Sequence, residues 1–246
     1  MGGPWWGAAR LAGLFQARSA NLLRARSPPL QASVGRSEGP SRAESRRCNR
    51  ENTARDVALL LVFYGTGLTP NEVAKLMLSD YLSADGDVQA ETLLRAEIAF
   101  NGKPRPLIWA SSKICTAIDD YLAYRLVVRH GVTTSTAAYR GLDPNSPLFL
   151  TGEGEPFAFT RRITPAGTVS YSCESLTEIV RRLYLQAGIE HGNASAARRT
   201  FAVRLHRDGR SLKLTQQLIG VSSLSAVKNL VEGDPVRLSS IVSGVI

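Results

Sequence analysis

Two hydrophobic periods alternate along the chain, and the switches between them mark out its elements. Over residues 52–67, NTARDVALLLVFYGTG, an almost unbroken apolar run follows Asn52 and Thr53, either of which suits a helix N-cap, and Gly65 supplies a stop. The pattern predicts a buried helix, followed by a short one from Pro70 to about Leu78. ETLLRAEIAF (91–100) and PRPLIWA (104–110) read as two strands joined by the tight turn Asn101-Gly102-Lys103. In SSKICTAIDDYLAYRLVVRHG, Ile114, Ile118, Tyr121 and Leu122 recur at helical spacing, with Asp119 and Asp120 off that face.

PLFLTGEGEPFAF (147–159) predicts a short strand, a turn and a second strand. The C-terminal third is helical. CESLTEIVRRLYLQAG carries Leu176, Ile179, Val180 and Leu183 on one face and ends at Gly188. AARRTFAVRLHRDG, SLKLTQQLIG and SSLSAVKNLVEG end at Gly209, Gly220 and Gly233, and PVRLSSIVSGVI closes the chain. No internal repeat is present. The expected class is α+β, mainly α: a helical bundle with a small antiparallel sheet.

Composition separates the first 50 residues from the rest. They hold nine arginines, no lysine and two glutamates, a net charge of +7. Rich also in Ser, Pro, Gly and Ala, they bury too little apolar surface to offset their ordering entropy. The composition resembles a transit peptide, but the expectation is a disordered basic arm or a start codon assigned too far upstream, with order beginning near residue 51. Residues 51–246 hold 21 basic and 19 acidic side chains, a net of only +2, so any case for nucleic acid must rest on local clusters. No run reaches the roughly 18 apolar residues of a membrane span. Cys48, Cys115 and Cys173 are odd in number and lack zinc-ligand spacing, which suits a reducing, cytoplasmic setting.

The order of these elements and two stretches of text resemble the catalytic domain of the tyrosine-recombinase (phage-integrase) family. YGTGLTPNEVAKLMLSDY is similar to that family's Gly-Leu-Arg-x-x-Glu segment. AARRTFAVRLHRDGRSLKLTQQLIGVSSLSAVKNL is similar to its His-x-x-Arg-His-Thr-Phe helix, its Leu-Gly-His-Ser-Ser turn and the helix that bears the nucleophile. The resemblance covers residues 52 to about 234. It implies a tyrosine-recombinase-like helical bundle with a small antiparallel sheet, double-stranded DNA as partner, and no metal or other cofactor. It also implies a tyrosine that attacks a DNA phosphate, two arginines that clamp its oxygens, a turn lysine that protonates the leaving oxygen, and histidines that assist.

Carried over residue by residue, the resemblance puts Thr69 at the first arginine, Lys103 at the turn lysine with Arg105 close by, and Ser195 at the first histidine. Arg198 falls on the second arginine and Arg199 on the histidine after it. Val221 falls on the later histidine and Leu230 on the tyrosine. All seven tyrosines (Tyr64, Tyr81, Tyr121, Tyr124, Tyr139, Tyr171 and Tyr184) precede Arg198, whereas the family nucleophile follows it. Ser222, Ser223 or Ser225 would need a base, and the nearby histidine position holds Val221. Losing one charged donor from such a site costs about 3–4 kcal/mol, and losing the nucleophile removes the covalent route.

Plainer readings stand beside these. Thr69-Pro70-Asn71-Glu72 satisfies the capping-box pattern with proline at the first helical position. Lys103 and Arg105 suit an ordinary turn. Arg198, Arg199, Arg204, Arg207, Arg210 and Lys213 form the densest basic run after residue 50, read as DNA contact centred on Arg198 over a solvated helix face. His191 and His206 are expected at the surface, and Arg181 and Arg182 are assigned no role. The leading expectation is a catalytically inactive DNA-binding relative, accessory or regulatory beside an active recombinase or as a homo-oligomer on DNA, associated with a mobile element. The alternatives are an active recombinase with a non-standard or in-trans nucleophile, and a protein-interaction module that has lost DNA binding. The first 50 residues are too short and polar to be the separate DNA-clamping domain the family places ahead of its catalytic one.

Overall fold

The computed structural model describes residues 42–134, 138–163, 165, 167–190 and 192–232, with side chains from residue 53 onward. Helix α1 spans Arg42–Thr66. It begins ten residues ahead of the expected Asn52, because nothing after Pro40 breaks a run of helix-forming Arg, Glu and Ala. The expected tail of residues 1–50 otherwise lies outside the described residues, as do residues 233–246. The helix ends one residue past Gly65, and Gly67 takes the left-handed conformation (φ +65°) that closes it, its N–H donating to the Phe63 carbonyl at 3.2 Å. Gly65 serves packing instead: a Cβ there would lie 2.1 Å from Ile114 Cδ1.

Helix α2, Pro70–Lys75, is a single capped turn and a half, followed by a 3₁₀ turn at Leu78–Asp80. Strands β1 (Glu91–Leu94) and β2 (Arg105–Ile108) pair antiparallel, Leu94 opposite Arg105. The first strand is shorter than predicted. Residues 95–102 turn back on themselves, with Ala99 N–H bonded to the Arg95 carbonyl and Gly102 N–H to that of Ala99. Helix α3, Ser112–Val128, buries Ile114, Ala117, Ile118, Tyr121, Leu122 and Arg125 on one face and packs along α1. Tyr121 stacks on Phe149 at 5.6 Å, and Trp109 meets Tyr81 edge-on at 5.3 Å.

The predicted strand at 147–150 is absent. Leu148, Phe149 and Leu150 are buried, but other groups take up their backbone. Leu148 N–H donates to the Leu76 carbonyl at 2.7 Å and Leu150 N–H to Tyr121 Oη at 3.0 Å. Arg125 donates to the carbonyls of His130, Pro147 and Leu148 and to Ser146 Oγ. The second hairpin lies further on: β3 (Thr160–Ile163) pairs antiparallel with β4 (Val169–Ser172). Four helices finish the described chain: α4 (Glu174–Gln186), α5 (Ala194–Arg207), α6 (Leu212–Ile219) and α7 (Leu224–Val231). Side-chain caps from Asn193, Ser211 and Ser223 open the last three.

The expected α+β, mainly helical class is therefore the observed one, with two small two-stranded sheets rather than one among the described residues. A main core joins α1 to α4 and the first sheet. A smaller one, of Ala202, Val203, Ile219, Val227 and Val231, joins α5, α6 and α7. No helix among the described residues is long and apolar enough to cross a membrane.

Arg125 is fully buried, and three of its four bonds replace a strand partner for residues 146–148. Replacing it with alanine strands those acceptors in a dry interior. The variant is expected to lose about 3 kcal/mol of stability, read as a lower urea midpoint at unchanged m-value.

Candidate functional site

The site is organised by one carboxylate. Thr69 caps α2 as the sequence predicts: its Oγ accepts from Glu72 N–H at 3.3 Å, and Glu72 Oε2 accepts from Thr69 N–H at 2.7 Å and Thr69 Oγ at 2.9 Å. Proline at the first helical position and the short helix turn the Glu72 side chain inward, where it is completely buried. There Oε1 accepts from Arg105 Nη1 at 2.6 Å and Phe100 N–H at 2.9 Å, and Oε2 from Arg105 Nη2 at 3.1 Å. Arg198 Nη1 lies 3.8 Å from Oε2. Glu72 thus ties α2, the loop before β2, β2 itself and α5 together.

Arg105 is not a charge on an exposed turn. It is 5% exposed, its Nε donates to the Leu218 carbonyl at 3.1 Å, and it runs beneath α6. Gly220, at φ +71°, allows this: a Cβ there would come within 2.8 Å of Arg105 Nη1. Arg198 donates from Nη1 to the Gly67 carbonyl at 3.1 Å and from Nη2 to the Ile219 carbonyl at 2.5 Å. The Phe100 ring, itself 63% exposed, covers its guanidinium at 5.4 Å. Burial lowers the Arg198 pKa, the Glu72 charge raises it and Arg105 lowers it, for a net fall. In Glu72, burial raises the pKa, but the Arg105 bonds and charge and the Phe100 and Thr69 amides outweigh it, so the carboxyl titrates below its ordinary range.

The remaining sequence-selected residues divide into two groups. Lys103 and Ser195 are exposed. The Lys103 N–H is held by Asn101 Oδ1 at 3.0 Å, and no hydrogen bond or ion pair links its ammonium to the Glu72 hub among the described residues. Val221 and Leu230 pack together with Phe201 and Leu212 against the small core of α5, α6 and α7. Arg199 Nε donates to the Leu230 carbonyl at 3.2 Å, a cation at the C-terminal end of α7. Ser223 Oγ accepts from Ala226 N–H at 3.1 Å as the α7 cap. His206 is exposed, Arg181 pairs with Glu178, and His191 lies outside the described residues.

The ordering of these elements matches solved recombinases. The chain superposes on XerA recombinase with a TM-score of 0.56 at 20% identity, over 95% of this chain and 73% of that one. It superposes on XerH site-specific recombinase, bound to palindromic difH substrate in a post-cleavage complex, with a TM-score of 0.57 at 18% identity, over 96% of this chain and 50% of that one. The fold is that of a tyrosine-recombinase catalytic domain. In sequence the chain is similar to tyrosine recombinase XerC of Thermodesulfovibrio yellowstonii, 27% identical over 175 residues, covering 71% of this chain and 48% of that protein. It is also similar to tyrosine recombinase XerC of Listeria innocua, 29% identical over 180 residues, covering 73% and 50%. The chain thus spans about half the length of these curated relatives. No protein-family model matches it.

Within the recombinase fold, sequence reasoning singled out Arg198 and read the Thr69 cap, but missed the hub that joins them. Glu72 was legible as a capping residue; its partners 33 residues away in Arg105 and further away in Arg198 were not. The available signal was an acidic residue followed directly by buried Val73 and Ala74.

Glu72 carries a stability prediction. Its folded pKa lies below the ordinary 4.5, so its contribution is complete above pH 4.5 and is lost as pH falls through the folded value. Thermal melting across pH is expected to show an acid limb below that point. Glu72→Gln is expected to flatten this limb and to cost about 3 kcal/mol at neutral pH, by leaving Arg105 buried without its counter-charge.

Proposed function

We propose that this chain is a duplex-DNA-binding protein of the tyrosine-recombinase type that takes part in DNA recombination without cutting DNA itself, as an accessory or regulatory partner of an active recombinase. One observation carries the reading. Arg198 is held in place by the Gly67 and Ile219 carbonyls beside the Glu72 hub, whereas Val221 and Leu230, at the resembled histidine and tyrosine positions, are part of a hydrophobic core. The frame for a phosphate clamp is kept, and the groups for nucleophilic attack are replaced by packing.

Charge supports the same reading. Residues 192–232 hold seven basic and two acidic side chains, a net of +5, whereas residues 51–191 hold 13 basic and 16 acidic, a net of −3. The near-neutral sum over residues 51–232 hides a cationic stretch in α5 to α7. Arg199, Arg204, Arg207, Arg210, Lys213 and Lys228 are all exposed there. Lys103 is the proposed second contact from the first sheet's turn. Arg105 is proposed to act on DNA only through Glu72 and Arg198, since its own guanidinium is buried.

The test pairs binding with cleavage. Affinity for a mixed-sequence duplex is expected to fall linearly with the logarithm of salt concentration, and Arg198→Ala to weaken it. A nicked suicide duplex is expected to trap no covalent adduct. An adduct would establish an active enzyme with another nucleophile, and no binding at low salt would favour a protein-interaction module.

A further inference from the structure

Among the described residues, the β3–β4 hairpin is the one element with no buried face. All four residues of β3 and three of β4 are exposed, and only Ser172 is half-buried. A two-stranded ribbon is marginal in water unless something holds it, and here its base is fastened to α2. Asn71 Nδ2 donates to the Tyr171 carbonyl at 2.7 Å, Asn71 Oδ1 accepts from Cys173 N–H at 2.8 Å, and Lys75 sits 5.1 Å over the Phe159 ring just before β3. These tethers come from the same short helix that presents Glu72. The ribbon is therefore fixed relative to Arg198 while its two faces are left uncovered.

Strand alternation divides those faces. Arg162 lies on one, tied to Glu174. Arg161, opposite Tyr171, and Ile163, opposite Val169, lie on the other. Tyr171 is 54% exposed, and Arg161 makes no ion pair or side-chain hydrogen bond among the described residues. Residues 160–172 contain two arginines and no acidic side chain, within a stretch of chain that is otherwise net negative.

We infer that the Arg161–Tyr171 face of this ribbon is a second DNA-contacting surface, one that enters a groove of the duplex whose backbone approaches Arg198. The inference rests on the DNA-binding reading above. A two-stranded ribbon fits the major groove, which is about 12 Å wide. An unpaired guanidinium beside an aromatic ring suits phosphate and base-edge contact. Charge complementarity selects DNA as the occupant: the face carries an unpaired arginine and no acidic side chain, and its base is tethered to the helix that carries Glu72.

The experiment measures binding of the full chain to a labelled mixed-sequence duplex over a range of salt concentrations. Wild type, Arg161→Ala, Tyr171→Ala, Arg162→Ala and Arg198→Ala are compared, with thermal melting to confirm folding. Arg161→Ala is expected to weaken binding on the order of tenfold and to reduce the salt slope by roughly 1, Tyr171→Ala to weaken it without changing the slope, and Arg162→Ala to do much less. If Arg161→Ala and Arg162→Ala weaken binding equally, only net charge matters and the inference fails. It also fails if both ribbon-face variants bind like wild type, or change self-association in sedimentation while leaving DNA affinity alone. In each of these outcomes, salt-dependent binding by wild type that Arg198→Ala weakens keeps the DNA-binding reading intact. No DNA binding by wild type overturns both.

Discussion

The burial of the Glu72 carboxylate is the constraint around which the rest of this molecule is arranged. A charge with no exposure is tolerated only when opposite charge and hydrogen bonds fill its lone pairs. Here Thr69, Phe100 and Arg105 supply the hydrogen bonds, and Arg198 adds a second positive charge at 3.8 Å. Meeting that demand fixes the entry of α2, the turn ahead of β2, the seat of α6 over Arg105 and the position of α5. The same set of contacts places the Arg198 guanidinium. Architecture and candidate chemistry are one construction, so an arginine at position 198 has a structural reason as well as a proposed functional one.

The second core accounts for two of the residues that the sequence resemblance singles out. Val221 and Leu230 do not leave gaps where histidine and tyrosine would stand; they pack with Phe201 and Leu212 against Ala202, Val203, Ile219, Val227 and Val231. Arg199 satisfies the Leu230 carbonyl and sets a positive charge at the end of α7. Arg199, Val221 and Leu230 thus meet around α7. A polar side chain at position 221 or 230 would enter that cluster without partners.

Local signals carried most of the fold. Helices α4 to α7 were legible because each joins an apolar face to a glycine just beyond its end, and the Thr69 capping box is written in four consecutive residues. The misreadings share a non-local cause. Residues 147–150 have the apolar content of a strand, but Arg125, 22 residues upstream of Pro147, satisfies their carbonyls. The predicted strand through Phe100 stops at Leu94 because Glu72 captures the Phe100 amide. The β3–β4 ribbon escaped notice because both its faces are exposed, so no alternation of apolar and polar residues marks it. At the site, residue types were legible and partnerships were not: Arg105 reads as a turn charge until its distance from Glu72 is known.

The distribution of charge gives these local arrangements a direction. Residues 51–191 are net −3, and residues 192–232 are net +5. A polyanion is drawn towards the exposed basic side chains of α5 to α7. Arg198 sits where the positive helices meet the acidic part, held from one side by the Ile219 carbonyl and from the other by that of Gly67. Within the acidic part, the ribbon is a local reversal of sign, and α2 fixes it beside that boundary. The tether matters more than the charge itself. A free basic hairpin would add affinity without geometry, whereas one fastened through Asn71 and Lys75 to the helix that bears Glu72 holds its arginine at a set offset from Arg198.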